Sequence, residues 1–201
     1  MAFDYTTPTN VFAYLNSAGN GTDPVNEATE MQRLVTGMSR AIDTWCNQAF
    51  SVATYSGQEL RAVVDVEGVL TCYPAVPTMS APTAVAYRQA RSSSWVELSA
   101  AQLDVEENTA GCVVRTLDQN FSQWRGGRLQ MRLSYTGGYA NLAALPSDFT
   151  WAMDALCGWA YQKRSAPIDA TAAPAFGQLY IPSNWPGHIK QMFSTYKRWV
   201  A

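Results

Sequence analysis

The chain has 201 residues, of which 47% are apolar and only 15% charged, with 14 basic and 16 acidic side chains for a formal charge of -2. A chain of this length buries roughly 70% of its extended surface on folding, so a core needs no disulfide or metal staple. The balanced charge offers no basic footprint for non-specific nucleic-acid binding, and no apolar run reaches membrane-spanning length.

The first element is short. Pro8 leads into NVFAYLN, where Val11, Phe12 and Leu15 share a face at helical spacing, and Ser17–Asp23 breaks the chain. A second helix starts from the capping residue Asp23 and Pro24. Its apolar stripe runs through Ala28, Met31, Val35, Met38, Ile42, Trp45 and Ala49 in steps of three and four. If continuous to Phe50, this helix is about 40 Å long. Cys46 joins Trp45 and Ile42 on the apolar side without a neighbouring histidine, so it reads as a buried thiol and not a nucleophile.

From Leu60 alternation replaces the helical period, through Leu60, Ala62, Val64 and Val66, with Gly57 and Gly68 as flanks and Val69–Tyr73 as a hairpin partner. Thr83–Arg88, Trp95–Leu98, Leu103–Val105 and Cys112–Thr116 read as short strands between turn residues. The clearest strand is Arg128–Thr136, with Leu129, Met131, Leu133 and Tyr135 on one side and Arg128, Gln130, Arg132 and Ser134 on the other, the pattern of a half-buried antiparallel sheet.

Helical spacing returns at Pro146 or Ser147. Phe149, Ala152, Met153, Leu156, Cys157 and Ala160 form one side, and Gly158 inside this helix calls for a close neighbouring helix. Ser165–Asn184 is a long loop rich in Ala and Pro. A last helix from about Trp185 places Ile189, Met192, Phe193, Tyr196 and Trp199 or Val200 on one face, with Lys190, Lys197 and Arg198 toward its C-terminus. The fold class read from this order is α+β. Helices of residues 1–56 and 141–201 form a bundle, and residues 57–140 form a β-rich antiparallel insertion. The expected structural core is Met31, Val35, Met38, Ile42, Trp45, Cys46, Phe149, Met153 and Leu156.

The chemistry-bearing residues are sparse. His188 is the single histidine and follows Pro186-Gly187 at a helix start, where a solvated residue is the ordinary case. Asp65 and Glu67, and Asp104, Glu106 and Glu107, are grouped carboxylates. Paired acids run glycoside hydrolysis in a cleft, whereas acids on a sheet edge keep it soluble. The four cysteines, Cys46, Cys72, Cys112 and Cys157, lack CxxC spacing, as expected of free thiols in a reducing compartment. No phosphate loop and no calcium loop is present. The N-terminal residues MAFDYTTPTN lack the regions of a signal peptide. The reading is of a non-enzyme without cofactor or metal. Low charge, seven tryptophans and ten tyrosines favour a surface covered by other protein.

Four phrases in order carry a resemblance. They are TTPTNVFAYLN ahead of LVTGMSRAIDTWCNQAF (through Met38, Ile42, Asp43, Trp45, Cys46 and Phe50), then YPAVPTMSAPTAV, then LSYTGGYANLAALPSDFTWAMDALCGWAYQKR (through Tyr135, Gly138, Tyr139, Leu145, Pro146, Phe149, Ala152, Tyr161 and Arg164), and HIKQMFSTYKRWV (through Met192, Phe193, Tyr196 and Arg198). Together these resemble the head–tail connector (adaptor) proteins of long-tailed bacteriophages. The sequence departs from that pattern at Asn47-Gln48, where a basic residue usually precedes the Phe, and Ser165–Asn184 has no counterpart. The resemblance implies a homo-oligomeric ring, a dodecamer, beneath the portal protein in the virion neck, assembled in the host cytoplasm. Such a ring extends the channel for genomic DNA, which passes without specific binding, and offers a platform for a head-closure or tail-terminator protein. Phe176, Tyr180, Ile181, Trp185, Tyr196, Arg198 and Trp199 are the expected portal or partner interface, with simple cover of the bundle as the other reading of the same aromatics. A second function reading is a β-rich module for carbohydrate or a host surface, using Tyr87, Trp95 and Trp124, and a third is a hydrolase using Asp104, Glu106 or Glu107.

Overall fold

The computed structural model describes residues 3–19, 24–89, 94–107, 111–117, 119–124, 129–163 and 185–198. They form an α+β fold of four helices and seven antiparallel strands. Contacts divide the chain into two compact units. One is helical, Phe3–Cys46 with Asn141–Thr195; the other holds the strands, Asn47–Ala140 with Met1–Ala2 and Tyr196–Ala201.

In the helical unit, α1 (Pro8–Ser17) starts where Thr7 Oγ1 accepts from Asn10 N at 3.2 Å and Pro8 presets the first turn. Helix α2 (Pro24–Cys46) buries Met31, Leu34, Val35, Met38, Ile42 and Cys46 along one stripe. Two ends of the expected stripe are corrected: Ala28 is exposed and Trp45 is half-buried. The helix also stops four residues short of Phe50. Asn47 adopts a left-handed φ of +54°, a conformation that asparagine tolerates at a helix C-terminus, and Phe50 is buried in the other unit.

Helix α3 (Ser147–Lys163) lies against α1, α2 and α4 (Gly187–Ser194). Phe149, Ala152, Met153, Leu156, Cys157 and Ala160 are buried, as the spacing predicts. Gly158 has the close neighbour its position called for: an added Cβ would lie 3.0 Å from Tyr14 Cδ1 and 3.3 Å from Leu15 Cδ2 of α1. The helical part of the last segment is shorter than expected, because Pro186 sets its start and the chain leaves the helix after Ser194.

The strands are β1 (Ala53–Val64), β2 (Leu70–Cys72), β3 (Ala84–Arg88), β4 (Val96–Leu98), β5 (Leu103–Glu106), β6 (Val113–Thr116) and β7 (Leu129–Gly137). They form one sheet in the order β4-β3-β7-β1-β2-β6-β5. Strand β1 begins seven residues before Leu60, and Gly57 lies inside it and not beside it. The register with β7 shifts between Tyr55 and Gln58, Gly57 takes φ +60°, and its N–H donates to Ser134 Oγ at 2.9 Å. This bulge rephases the side chains, which hid the first half of the strand from a simple alternation test. The edge strands β4 and β5 are joined by only Ser99–Gln102, so the sheet curls to bring its edges together around an apolar interior. That interior holds Leu70, Cys72, Val76, Val85, Val114, Phe121, Leu129, Met131, Leu133 and Tyr135. Gly138 closes the far end of β7 in a left-handed turn, where a Cβ would stand 2.5 Å from Ser51 O.

Candidate functional site

Neither unit assembles catalytic machinery from the residues singled out. His188 lies exposed in the first turn of α4. Asp65 Oδ1 accepts from Glu67 N and Val69 N and so caps the β1–β2 turn. Glu106 pairs with Arg115 at 3.1 Å, and Glu107 Oε1 accepts from Met79 N at 2.8 Å. Among the described residues, no group of three or more His, Cys, Asp or Glu side chains could hold a metal ion, and no helix is long and apolar enough to cross a membrane.

All four cysteines are free and buried. Burial pushes the thiols of Cys72 and Cys112 up to about 12, with a contribution from Glu107 at Cys112, and it raises Cys157 further in the same direction. A thiol held this far above neutral pH carries almost no thiolate, the form that attacks.

The aromatic residues are used in two ways. In the helical unit Tyr5, Phe149 and Phe193 form an edge-to-face ladder at 5.7 and 5.4 Å, Phe12 meets Tyr161 at 6.2 Å, and Trp45 meets Trp185 at 5.9 Å. The segment Phe3–Thr6 is pinned beside this ladder. Asp4 accepts from Gln32 and Thr36 at 2.7 Å, Ser39 Oγ accepts from Tyr5 N at 3.0 Å, Tyr5 donates to Asp43, and Thr6 donates to Asp154. Burial raises the pKa of the Asp154 carboxyl, and the Thr6 hydroxyl offsets part of that rise.

In the β unit, Tyr87, Phe121 and Trp124 pack on one another within 5.7 Å. Trp95 lies over the guanidinium groups of Arg88 and Arg132, 4.2 and 4.8 Å from its ring centre. Arg88 reaches across β7 to Glu59 at 2.9 Å, and Arg132 reaches across β3 to Glu97 at 3.1 Å. Beside them a shallow recess of about 230 Å³ is lined by Ser56, Ala84, Glu97, Arg132 and Ser134. The three aromatics of the carbohydrate reading are therefore each engaged by side chains of their own sheet or its connections.

The expected partner interface divides. Phe176, Tyr180, Ile181 and Trp199 lie outside the described residues. Trp185 is buried against Trp45. Tyr196 is buried against Phe50 at 6.2 Å, and its carbonyl accepts from Gln48 Nε2 at 2.6 Å. Arg198 donates to the Tyr73 carbonyl; burial lowers its pKa, partly countered by Tyr135 and Cys72. Of the expected core, Met31, Val35, Met38, Ile42, Cys46, Phe149, Met153 and Leu156 are buried.

Sequence reasoning missed a different group, the exposed apolar side chains. Trp151 is 57% exposed on α3, and Val63, Val66, Val96 and Leu117 are exposed on the β unit. The signal for Trp151 was available: two residues from Phe149, it falls about 200° around the helix from the buried stripe.

No protein-family model and no curated protein sequence matches the chain. Solved structures do. The fold is shared with a chain from the neck of an empty gene transfer agent (GTA) particle computed with C6 symmetry, at TM-score 0.50 and 16% identity, over 100% of this chain and 97% of that one. A chain of the neck of the native GTA particle computed with C12 symmetry aligns at TM-score 0.47 and 15% identity, over 100% and 97%. A chain of the virion of the native particle aligns at 0.44 and 17%, over 87% and 80%.

Proposed function

We propose that this chain is a structural protein of a virion neck, an adaptor that forms a ring beneath the portal. The observation that carries the reading is the likeness of fold from end to end, helices and strands together, to a chain of a particle neck. Both units enter that likeness, so it is more specific than a shared helix pair. The four phrases resembling phage connectors fall in the same chain in the same order.

The physical character of the chain fits a covered surface. Charged residues make up 15% of it, against about 25% in ordinary soluble domains. Trp151, Val66 and Leu117 stand exposed on an isolated copy. A cyclic assembly covers two different faces of each subunit, and in this reading twelve copies close the ring. Genomic DNA passes through the lumen without sequence-specific contact, which needs no basic footprint. The portal lies on one side and a head-closure or tail-terminator protein on the other. The helices form the connector core, and the portal contact belongs to the segment from Phe176 to Trp199. Within it Trp185, Tyr196 and Arg198 tie the segment to its own subunit, which leaves Phe176, Tyr180, Ile181 and Trp199 as the portal anchors.

Native mass spectrometry of the full chain, alone and mixed with the portal encoded in the same genome, tests this. A twelve-copy species in either sample is expected. A chain that stays monomeric in both contradicts the proposal.

A further inference from the structure

The strand pair β2–β6 ends at two thiols. Cys72 is the last residue of β2, and Cys112 immediately precedes β6. Both are buried in the interior of the β unit, in the same cluster as Tyr135. Residues Tyr196–Arg198 of the same unit lie across this end. They continue no helix or strand, and side chains fasten them. The Tyr196 ring is buried edge-on against Phe50 at 6.2 Å, and Gln48 Nε2 donates to the Tyr196 carbonyl at 2.6 Å. Arg198 donates to the carbonyl of Tyr73, the neighbour of Cys72. On the Cys112 side, a Cβ on Gly111 would stand 3.4 Å from Gln48 Oε1 and 3.8 Å from Arg198 Cδ. Burial raises the Cys72 thiol and the Tyr135 phenol, and the Arg198 guanidinium is near enough to offset part of both rises.

Arg198 is a weak fastening. Its Nε is buried without an acceptor, and it meets no carboxylate among the described residues. A cation taken partly out of water and given only a neutral carbonyl recovers little of its desolvation cost. A short irregular segment held in this way opens at lower free energy than the paired strands beneath it.

We infer that Tyr196–Arg198 is a releasable strap that closes this end of the β interior, and that its local opening, without unfolding of the sheet, decides whether Cys72 and Cys112 meet solvent. The device needs one copy of the chain and stands independently of the ring reading.

Thiol alkylation of the full chain tests it. Sealed thiols carry almost no thiolate, so iodoacetamide at mildly alkaline pH reads the population in which they reach water. Labelling of each cysteine is followed by peptide mass spectrometry in wild type, Arg198→Ala and Gln48→Ala, at urea concentrations below the unfolding transition. Cys157, fully buried in the helical unit, is the reference for a thiol reached only by unfolding. In wild type, Cys72 and Cys112 are expected to label at a rate nearly independent of urea, because a local opening exposes little surface. Arg198→Ala removes the side chain beside Gly111, and Gln48→Ala removes the bond to the Tyr196 carbonyl. Each is expected to speed labelling of both thiols by roughly tenfold or more, still without urea dependence and with Cys157 unchanged. Labelling of Cys72 and Cys112 that climbs with urea as Cys157 does, or that is as slow in both variants as in wild type, overturns the strap.

Discussion

The helical and β units solve the same problem by different means. The helical unit fixes three helix faces and the segment Phe3–Thr6 around α3, through rings in edge contact and hydrogen bonds reaching from Tyr5 to Ser39 and from Thr6 to Asp154. The β unit is fixed by backbone geometry at a few glycines: Gly57 shifts the register of its longest strand, Gly68 turns its hairpin, and Gly138 lets β7 pass the Ser51 carbonyl. The comparison teaches that side-chain volume governs one unit and backbone conformation the other. Substitutions of different kinds should therefore damage them.

The largest effect is expected from Phe149→Ala. This ring is fully buried between Tyr5 and Phe193, and its loss should cost about 3–5 kcal/mol in denaturant unfolding. A cost below 1 kcal/mol would break the picture of a volume-governed unit. Gly138→Ala should follow at about 2–4 kcal/mol, because the added methyl meets both a φ of +95° and the Ser51 carbonyl. An unchanged midpoint would show that backbone conformation is not what holds β7.

Gly158→Ala sharpens the contrast, since this glycine belongs to the unit governed by volume. The helix gains about 1 kcal/mol from alanine, and crowding against Tyr14 and Leu15 costs about 1–3 kcal/mol. A net loss of about 1 kcal/mol is expected, and a net gain would mean that α1 gives way freely. The smallest effect concerns Asp154. Its raised pKa means that the folded chain holds this proton more tightly than the unfolded one, so the group favours the fold at low pH and opposes it once pH passes the unfolded carboxylate range near 4. Asp154→Asn keeps an acceptor for the Thr6 hydroxyl. It should raise the melting temperature at pH 7 and lose that advantage below pH 4, and a lower melting temperature at pH 7 would contradict the assigned cause.

The two units also differ in what the sequence discloses. A helix writes its buried face locally, so the stripe through Met31, Val35, Met38 and Ile42, the face of α3 and the small residue Gly158 were all legible. The ends were less so: Asn47 reads as an ordinary helix residue until its left-handed backbone is seen, and the half-burial of Trp45 depends on Trp185, far along the chain. In the sheet only β7 was plain, because its alternation is unbroken. The bulge at Gly57 scrambled the first half of β1, and the strand order rests on pairings between distant residues that no local pattern contains. Of the expected interface, Trp185 and Tyr196 had the right composition for anchors but are engaged by Trp45 and Phe50. An aromatic residue that closes a core and one that docks a partner look alike in sequence.

The central claim is that this chain is a neck subunit. Electron cryomicroscopy of particles from the genome that encodes it tests that most directly, by fitting both units into the density between head and tail. The account predicts a closed ring of this chain beneath the portal. Neck density that accommodates no copy of the chain, or its appearance elsewhere in the particle, would contradict it.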